Sequence, residues 1–348
     1  MHHEDIVSDW LKKMLTKIEA QPDKEINYER LFTWFAFDVM GVLSFGQDFG
    51  CLENNRNHPY LYAAEVGAPF LSVMQVILRF RATRGFYNLA LRLPWMRFWN
   101  SLRTMSDETA ARWLARADDE DVVEERNDIM STIYKGMKDK NTPITRIQAL
   151  DVASILVLSG SEATPILMTA MMWNILHTPR VYERVKHEIR HSGIFKSAAD
   201  INASNSDKMV YMDAIIQESL RTDTPFATTI PRVVPPGGAV VDGFWLPGGV
   251  SLLLFIGLLT VLTLFPQATC GVPHYTAGHW KYNFTDPELF VPERWLPDHD
   301  AKYANDKRSA FRPFAKGSLD CIGKRYALRT PLSPASFVGF NNWRLTSW

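Results

Sequence analysis

From Thr145 to His177 the chain is apolar for 33 residues with only a few charges, about nine turns if helical. That is long for a globular helix, and a helix so uniformly apolar is buried along much of its length. Near its middle stands Ser159-Gly160-Ser161-Glu162-Ala163-Thr164-Pro165. Glycine loosens a helix, and proline removes a hydrogen bond and kinks it. A locally costly stretch of this kind points to a functional site, with a harmless kink as the rival explanation.

The rest of the pattern is helix-dominated. Ile6, Trp10, Leu11, Leu15 and Ile18 form one stripe before Pro22, and residues 28 to 45 are largely apolar up to Gly46. The stretch from about 56 to 100 is rich in aromatics, and the acidic run Asp118 to Glu125 reads as a solvated face. Pro179 opens a charged helix that ends near Gly193, and another runs from about Asp207 to Arg221. Short β-like runs follow, Val233-Val234 and Ala239 to Val241, punctuated by Pro235-Pro236-Gly237-Gly238, Asp242-Gly243 and Pro247-Gly248-Gly249. The 348 residues suffice for one large domain or two. With 38 Lys and Arg against 38 Asp and Glu, no global charge draws the chain to nucleic acid. Three cysteines cannot build a secreted disulfide framework, and MHHEDIVSDW is no signal peptide, so an intracellular setting is expected.

Cys51 and Cys270 lack ligand-like neighbours and read as inert thiols. Cys321 differs. It lies in Phe314-Ala315-Lys316-Gly317-Ser318-Leu319-Asp320-Cys321-Ile322-Gly323, with Lys324 next. Glycines allow tight turns, lysines add positive charge, and a helix start at Ile322 would aim its dipole at the sulfur; all three favour a thiolate. A lone thiolate on such a loop suits a nucleophile or a single axial haem ligand. A competing pattern is His187-Glu188-Ile189-Arg190-His191, the H-E-x-x-H of zinc proteases, on a helix rich in charge.

Four further motifs accompany the cysteine loop: Glu218-Ser219-Leu220-Arg221, Pro231-Arg232-Val233-Val234-Pro235, Phe290-Val291-Pro292-Glu293-Arg294-Trp295, and Ser159 to Thr164. Together, and in the family's order along the chain, they resemble the cytochrome P450 family. The early Phe37-Asp38-Val39-Met40-Gly41 resembles a helix of its fungal microsomal members. The resemblance implies that Cys321 ligates haem b as thiolate, with Phe314, Gly317 and Gly323 shaping the loop. It implies that Arg232 pairs with a propionate, and that Glu162 and Thr164 bring protons to dioxygen. Glu218, Arg221 and Arg294 are implied as a buried ion-pair network beneath the haem. Arg312, Lys316, Lys324 and Arg325 would make a basic face for an acidic reductase.

Several positions depart from that pattern. Leu319 stands where the haem loop has arginine, and Ala163 where a threonine follows the acid. Thr164 is one residue on, turned ~100° around a helix. Ser251 to Phe265 is fifteen residues without a charge, short of the ~20 a spanning helix needs. It reads as a membrane-dipping segment, a buried segment or an insertion over 251–270, since removal of Ser251 to Cys270 restores the family spacing. Translated intron sequence is the origin that the last reading suggests. Pro331 and Pro334 stop the helix after Cys321, and 328–348 is an atypical tail. The resemblance begins inside the family pattern, so no N-terminal membrane anchor is expected here.

The expectation is one incomplete domain over 1–348, mainly α with small β-sheets, a cytochrome P450 fold incomplete at both ends. The implied activity is a haem-thiolate monooxygenase that inserts one oxygen atom from O2 into a small hydrophobic substrate, in secondary metabolism. The implied electron donor is NADPH–cytochrome P450 reductase, and the implied place is the cytosolic face of the endoplasmic reticulum membrane. A catalytically inactive remnant or partner-binding fragment of the same fold is the alternative, and the zinc protease is a distant third.

Overall fold

The computed structural model describes residues 2–21, 25–59, 61, 129–138, 144–194, 200, 205, 208–227, 232–241, 243–247, 269–317 and 320–329. Pro22, 62–100, Asp118 to Glu125, Pro231, Ser251 to Phe265, Leu319, Pro331 and Pro334 lie outside them. The chain divides into two compact units, and the boundary falls inside one helix between Thr169 and Ala170.

The first unit holds α1 (His2–Glu19), α2 (Tyr28–Phe45), α3 (Cys51–Asn54), α4 (Ile129–Met137) and most of α5 (Arg146–His177). Trp10, Leu11, Met14, Leu15 and Ile18 of α1 are buried, and α1 packs on α2. Asn27 caps α2 by accepting the Arg30 N–H at 3.0 Å, satisfying a donor that the first turn leaves unpaired. Phe37, Phe45, Cys51, Met130, Ile133, Ala149, Ala153 and Val157 form one core cluster. Asp38 is fully buried there and accepts three backbone N–H groups, from Phe49 at 3.2 Å, Cys51 at 3.1 Å and Leu52 at 2.7 Å. This carboxylate fastens the turn between α2 and α3. Burial raises its pKa against the pull of those hydrogen bonds. The Cys51 thiol is pushed up to about 12 by burial, then by the Asp38 charge, which keeps it unreactive.

α5 continues through Pro165. The Ser159 hydroxyl donates to the Ile155 carbonyl and that of Ser161 to the Val157 carbonyl, each at 2.7 Å, a pattern that tends to bend helices. A Cβ on Gly160 would overlap the Sδ of Met40 in α2. Close helix approach is therefore one physical reason for the glycine. By length and composition α5 could cross a bilayer, and half of its most apolar stretch is buried inside the protein.

Among the described residues the second unit contains the end of α5, then α6 (Pro179–His191), α7 (Val210–Thr222), four short strands, α8 (His274–His279), three 3₁₀ turns and α9 (Lys324–Arg329). Pro179 sits at the start of α6, where its missing N–H costs nothing. Val181, Val185 and Ile189 bury one face of α6, and the opposite face is charged. α7 starts at Val210, buries most of its circumference, and packs against α6, α8 and the 3₁₀ turn Pro292–Trp295. β2 (Ala239–Val241) and β3 (Phe244–Leu246) pair antiparallel, with Val240 opposite Trp245. β1 (Arg232–Val233) pairs antiparallel with β4 (Thr269–Cys270), with Arg232 opposite Cys270 and Val233 opposite Thr269. The last two residues of the 251–270 span are thus part of a sheet ladder.

Candidate functional site

In the second unit a loop leads from Phe311 to Cys321. The Ala315 N–H bonds to the Arg312 carbonyl at 3.0 Å, and the Asp320 N–H bonds to that of Gly317 at 3.1 Å. Closure comes from the Cys321 N–H, which donates to the Phe314 carbonyl at 2.9 Å. Ala315 and Gly317 both have positive φ, +61° and +89°. Nothing lies within 4 Å of a Cβ built on Gly317, so conformation and not space calls for glycine there. A Cβ on Gly323 would make ordinary contact with the Cys321 sulfur at 3.9 Å. Ile322 and Gly323 form a turn and α9 begins at Lys324, two residues later than the sequence indicates. The reason is local: the Cys321 carbonyl accepts from Lys324 at i+3, a tight turn that precedes the helix.

Cys321 is exposed. Beside the loop lies a cavity of about 390 Å³, walled by Gln217, Trp295, Phe311 and Phe314, with Arg312 and Lys324 at hand. Lys316 is also exposed, so three exposed cations, Arg312, Lys316 and Lys324, lie within nine residues of Cys321, with the exposed Asp320 beside it. Arg232 lies on β1 with its side chain exposed.

Behind this loop Glu218, Arg221 and Arg294 come together, all fully buried. Glu218 sits three residues before Arg221 on one face of α7. Its two oxygens accept from Arg221 Nε at 2.8 Å and from Arg221 Nη2 at 2.7 Å. They also accept from Arg294 Nε at 3.1 Å, the Val291 N–H at 2.8 Å and Trp295 Nε1 at 2.8 Å. Arg221 spends its other donors on the carbonyls of Gly278, Pro287 and Leu289. Arg294 reaches the carbonyls of Thr285 and Asp286 and the Asp306 carboxylate, the last at 2.5 Å. Burying two guanidiniums is tolerable because their charges are met and their donors are satisfied. Asp306 has no motif to announce it; only the folded loop brings it to Arg294. Trp295 lay inside a motif, but its indole role is visible only once Glu218 is placed.

Glu293, between those residues, faces another way. It accepts from Arg180 of α6 and from the Tyr211 hydroxyl at 2.7 Å. Burial opposes its ionisation, but the Arg180 and Tyr211 hydrogen bonds outweigh that and lower its pKa.

In the first unit Glu162 is half-buried on α5 and Thr164 is buried. Desolvation raises the Glu162 pKa, so the carboxyl holds its proton to higher pH than in water. Ala163 between them is half-buried.

The H-E-x-x-H residues do different work. Glu188 is half-buried and accepts the N–H groups of Tyr211 at 2.8 Å and Met212 at 3.1 Å. α7 has no side-chain cap of its own at Met209, and Glu188 of α6 supplies one from a neighbouring helix. His187 and His191 are exposed and stack on each other with ring centroids 4.2 Å apart. Among the described residues no three His, Cys, Asp or Glu side chains gather as metal ligands.

Among the described residues, mostly helix with very short sheets, a buried Glu–Arg–Arg hub stands behind a glycine-bearing loop that ends in the exposed Cys321 thiol, a donor of the kind that ligates a soft metal centre. The chain belongs to the cytochrome P450 family: the family model described as Cytochrome P450 matches residues 1–330. It is 30% identical over 339 residues to "Cytochrome P450 monooxygenase traB" of Penicillium crustosum, covering 93% of this chain and 60% of that protein. It is 28% identical over 325 residues to "Cytochrome P450 monooxygenase stcF" of Emericella nidulans, covering 93% of this chain and 61% of that protein. With "Averantin hydroxylase" of Aspergillus parasiticus it shares 28% identity over 296 residues, 85% of this chain and 54% of that protein. The chain spans about 60% of the length of the first two of these curated relatives. The family implies haem held by cysteine thiolate, and the residues present fit it. Cys321 offers one soft, exposed donor on a loop closed by its own backbone hydrogen bonds.

Proposed function

We propose that this protein is a haem-thiolate monooxygenase that inserts one oxygen atom from O2 into a small hydrophobic organic substrate, in secondary metabolism. The observation that carries the reading is the exposed Cys321 at the end of the loop closed by the Phe314 carbonyl. The names of the relatives, monooxygenases and a hydroxylase from filamentous fungi, point the same way. Bound haem, when thiolate-ligated, supplies the activation of dioxygen. The protein's own groups do the rest. Cys321 would hold the iron, with Phe314, Gly317 and Gly323 setting the loop, and Arg232 would pair with a propionate. Glu162, whose pKa desolvation raises, is the candidate proton carrier on the apolar α5, and the Thr164 hydroxyl beside it is a second group for proton passage. The Glu218–Arg221–Arg294 hub fixes the segments behind the loop. Arg312, Lys316 and Lys324 form the face to which an acidic NADPH–cytochrome P450 reductase docks. In this reading the protein works at the cytosolic face of the endoplasmic reticulum membrane.

The test is a carbon monoxide difference spectrum of the reduced, haem-supplied protein. A Soret band typical of thiolate ligation, lost in Cys321→Ala, is the expected result. A chain that folds without taking up haem overturns the reading and leaves the fold as a partner-binding remnant.

A further inference from the structure

We infer that residues 250–267 are decoded from an unremoved intron, and that the functional chain joins Gly249 directly to Ala268. The first support is the sheet. β3 ends at Leu246 and β4 begins at Thr269, already in register with β1 through Val233↔Thr269 and Arg232↔Cys270. The connection from Pro247 to Ala268 is therefore 22 residues long. Connections in compact domains have a median of about 4–6 residues, and those beyond about 12–15 without secondary structure of their own are uncommon. Excision of 250–267 leaves Pro247-Gly248-Gly249-Ala268, a four-residue link made largely of turn formers. Both strands stay whole. Excision as far as Cys270 would instead remove β4, so the sheet sets the downstream limit before Thr269.

The second support is independent and lies in the residues themselves. The segment VSLLLFIGLLTVLTLFPQ has seven leucines, two phenylalanines and no charged residue. Phe, Leu, Ile and Val share uridine at the second codon position, so a uridine-rich transcript read through in frame gives such a string. Val250-Ser251 can be written GUAAGU or GUGAGU, the sequence of a spliceosomal donor. Leu264-Phe265-Pro266 permits a pyrimidine-rich tract, and Gln267 as CAG completes an acceptor. Leu259-Thr260 and Leu262-Thr263 each permit CUAAC or CUGAC, the form of a branch site. Eighteen codons make 54 nucleotides, a multiple of three, so retention preserves the downstream frame and every later motif. As a membrane element its eighteen uncharged residues sit at the lower end of the roughly 17–25 a spanning helix needs, with Gly257 inside and Pro266 near the end, so membrane binding is kept as an arm of the test.

Sequencing of native transcripts across codons 249–268 tests the inference. Transcripts lacking the 54 nucleotides are expected, together with a tryptic peptide from Val233 to Lys281 in which Gly249 precedes Ala268. Transcripts that all retain the segment overturn it. Two recombinant full chains, with and without 250–267, give a second readout. The shortened chain is expected to show severalfold higher soluble yield and a higher denaturant midpoint. A lower midpoint overturns the inference. So does binding of the longer chain to phosphatidylcholine–phosphatidylserine vesicles that is lost on deletion, since the segment would then be a membrane element.

Discussion

Glu218 accepts five N–H bonds from four residues, two of them buried arginines. Removing its charge leaves the buried Arg221 with carbonyl acceptors but no anion, and Arg294 with Asp306 as its one remaining carboxylate. Glu218→Gln should therefore destabilise the protein by about 3–5 kcal/mol, as breaking a buried pair does. Arg294→Lys should lose most of that too, because a lysine cannot reproduce the fork to Glu218 and Asp306. Denaturant midpoints at unchanged slope would measure both, and a midpoint equal to the parent's would refute the hub. Glu162 gives a second prediction. Its folded pKa is raised above the unfolded value by desolvation. The unfolded chain thus releases that proton first as pH rises. Stability falls across the window from the ordinary carboxylate pKa up to the raised one, and the penalty persists above it. Glu162→Gln should be more stable than the parent above that window and should converge with it below. A stability difference that does not vary with pH would refute it. At this scale the sequence was legible where side chains meet side chains at fixed spacing, as with Glu218 and Arg221. It was silent on Asp306 and on the carbonyls of Gly278, Pro287 and Leu289. A carbonyl acceptor has no residue signature, and Asp306 meets Arg294 only across a folded loop.

Helices were the readable elements, since a long apolar run or a stripe at helical spacing survives almost any tertiary context. α5 is the clearest case. The strands are only two or three residues each, too short for alternation to register, so turn residues located them better than the strands themselves. The H-E-x-x-H pattern shows how spacing alone misleads. On α6 it places two exposed histidines on solvent and sends Glu188 to the start of α7. Glu188→Ala should cost about 1–2 kcal/mol, the worth of a helix cap, while His187→Ala and His191→Ala should each stay within about 0.5 kcal/mol. Thermal unfolding of the three variants separates the readings. Equal loss in all three would restore a metal-site role for the histidines.

For the molecule as a whole, the balance of 38 cations and 38 anions hides a local excess around Cys321, at Arg312, Lys316 and Lys324. If the proposed reductase docks on these cations, its rate of electron delivery should fall as salt rises, because screening shortens the reach of charge to about 3 Å at 1 M ionic strength. A rate indifferent to salt in stopped-flow reduction would remove the docking face. Fold class was legible in advance because helical content and ordered motifs both report on it. The downstream limit of the apolar span was not, since only strand pairing distinguishes Thr269 and Cys270 from the residues before them. The Arg221 hub carries one more implication. It grips the stretch from Gly278 to Leu289 by three main-chain carbonyls, so the exposed side chains of that stretch are not what secures it. Lys281, Glu288 and Leu289 can drift in evolution while the path of the backbone stays fixed. One internal arginine thereby gives the surface above it freedom to change in sequence without changing in shape.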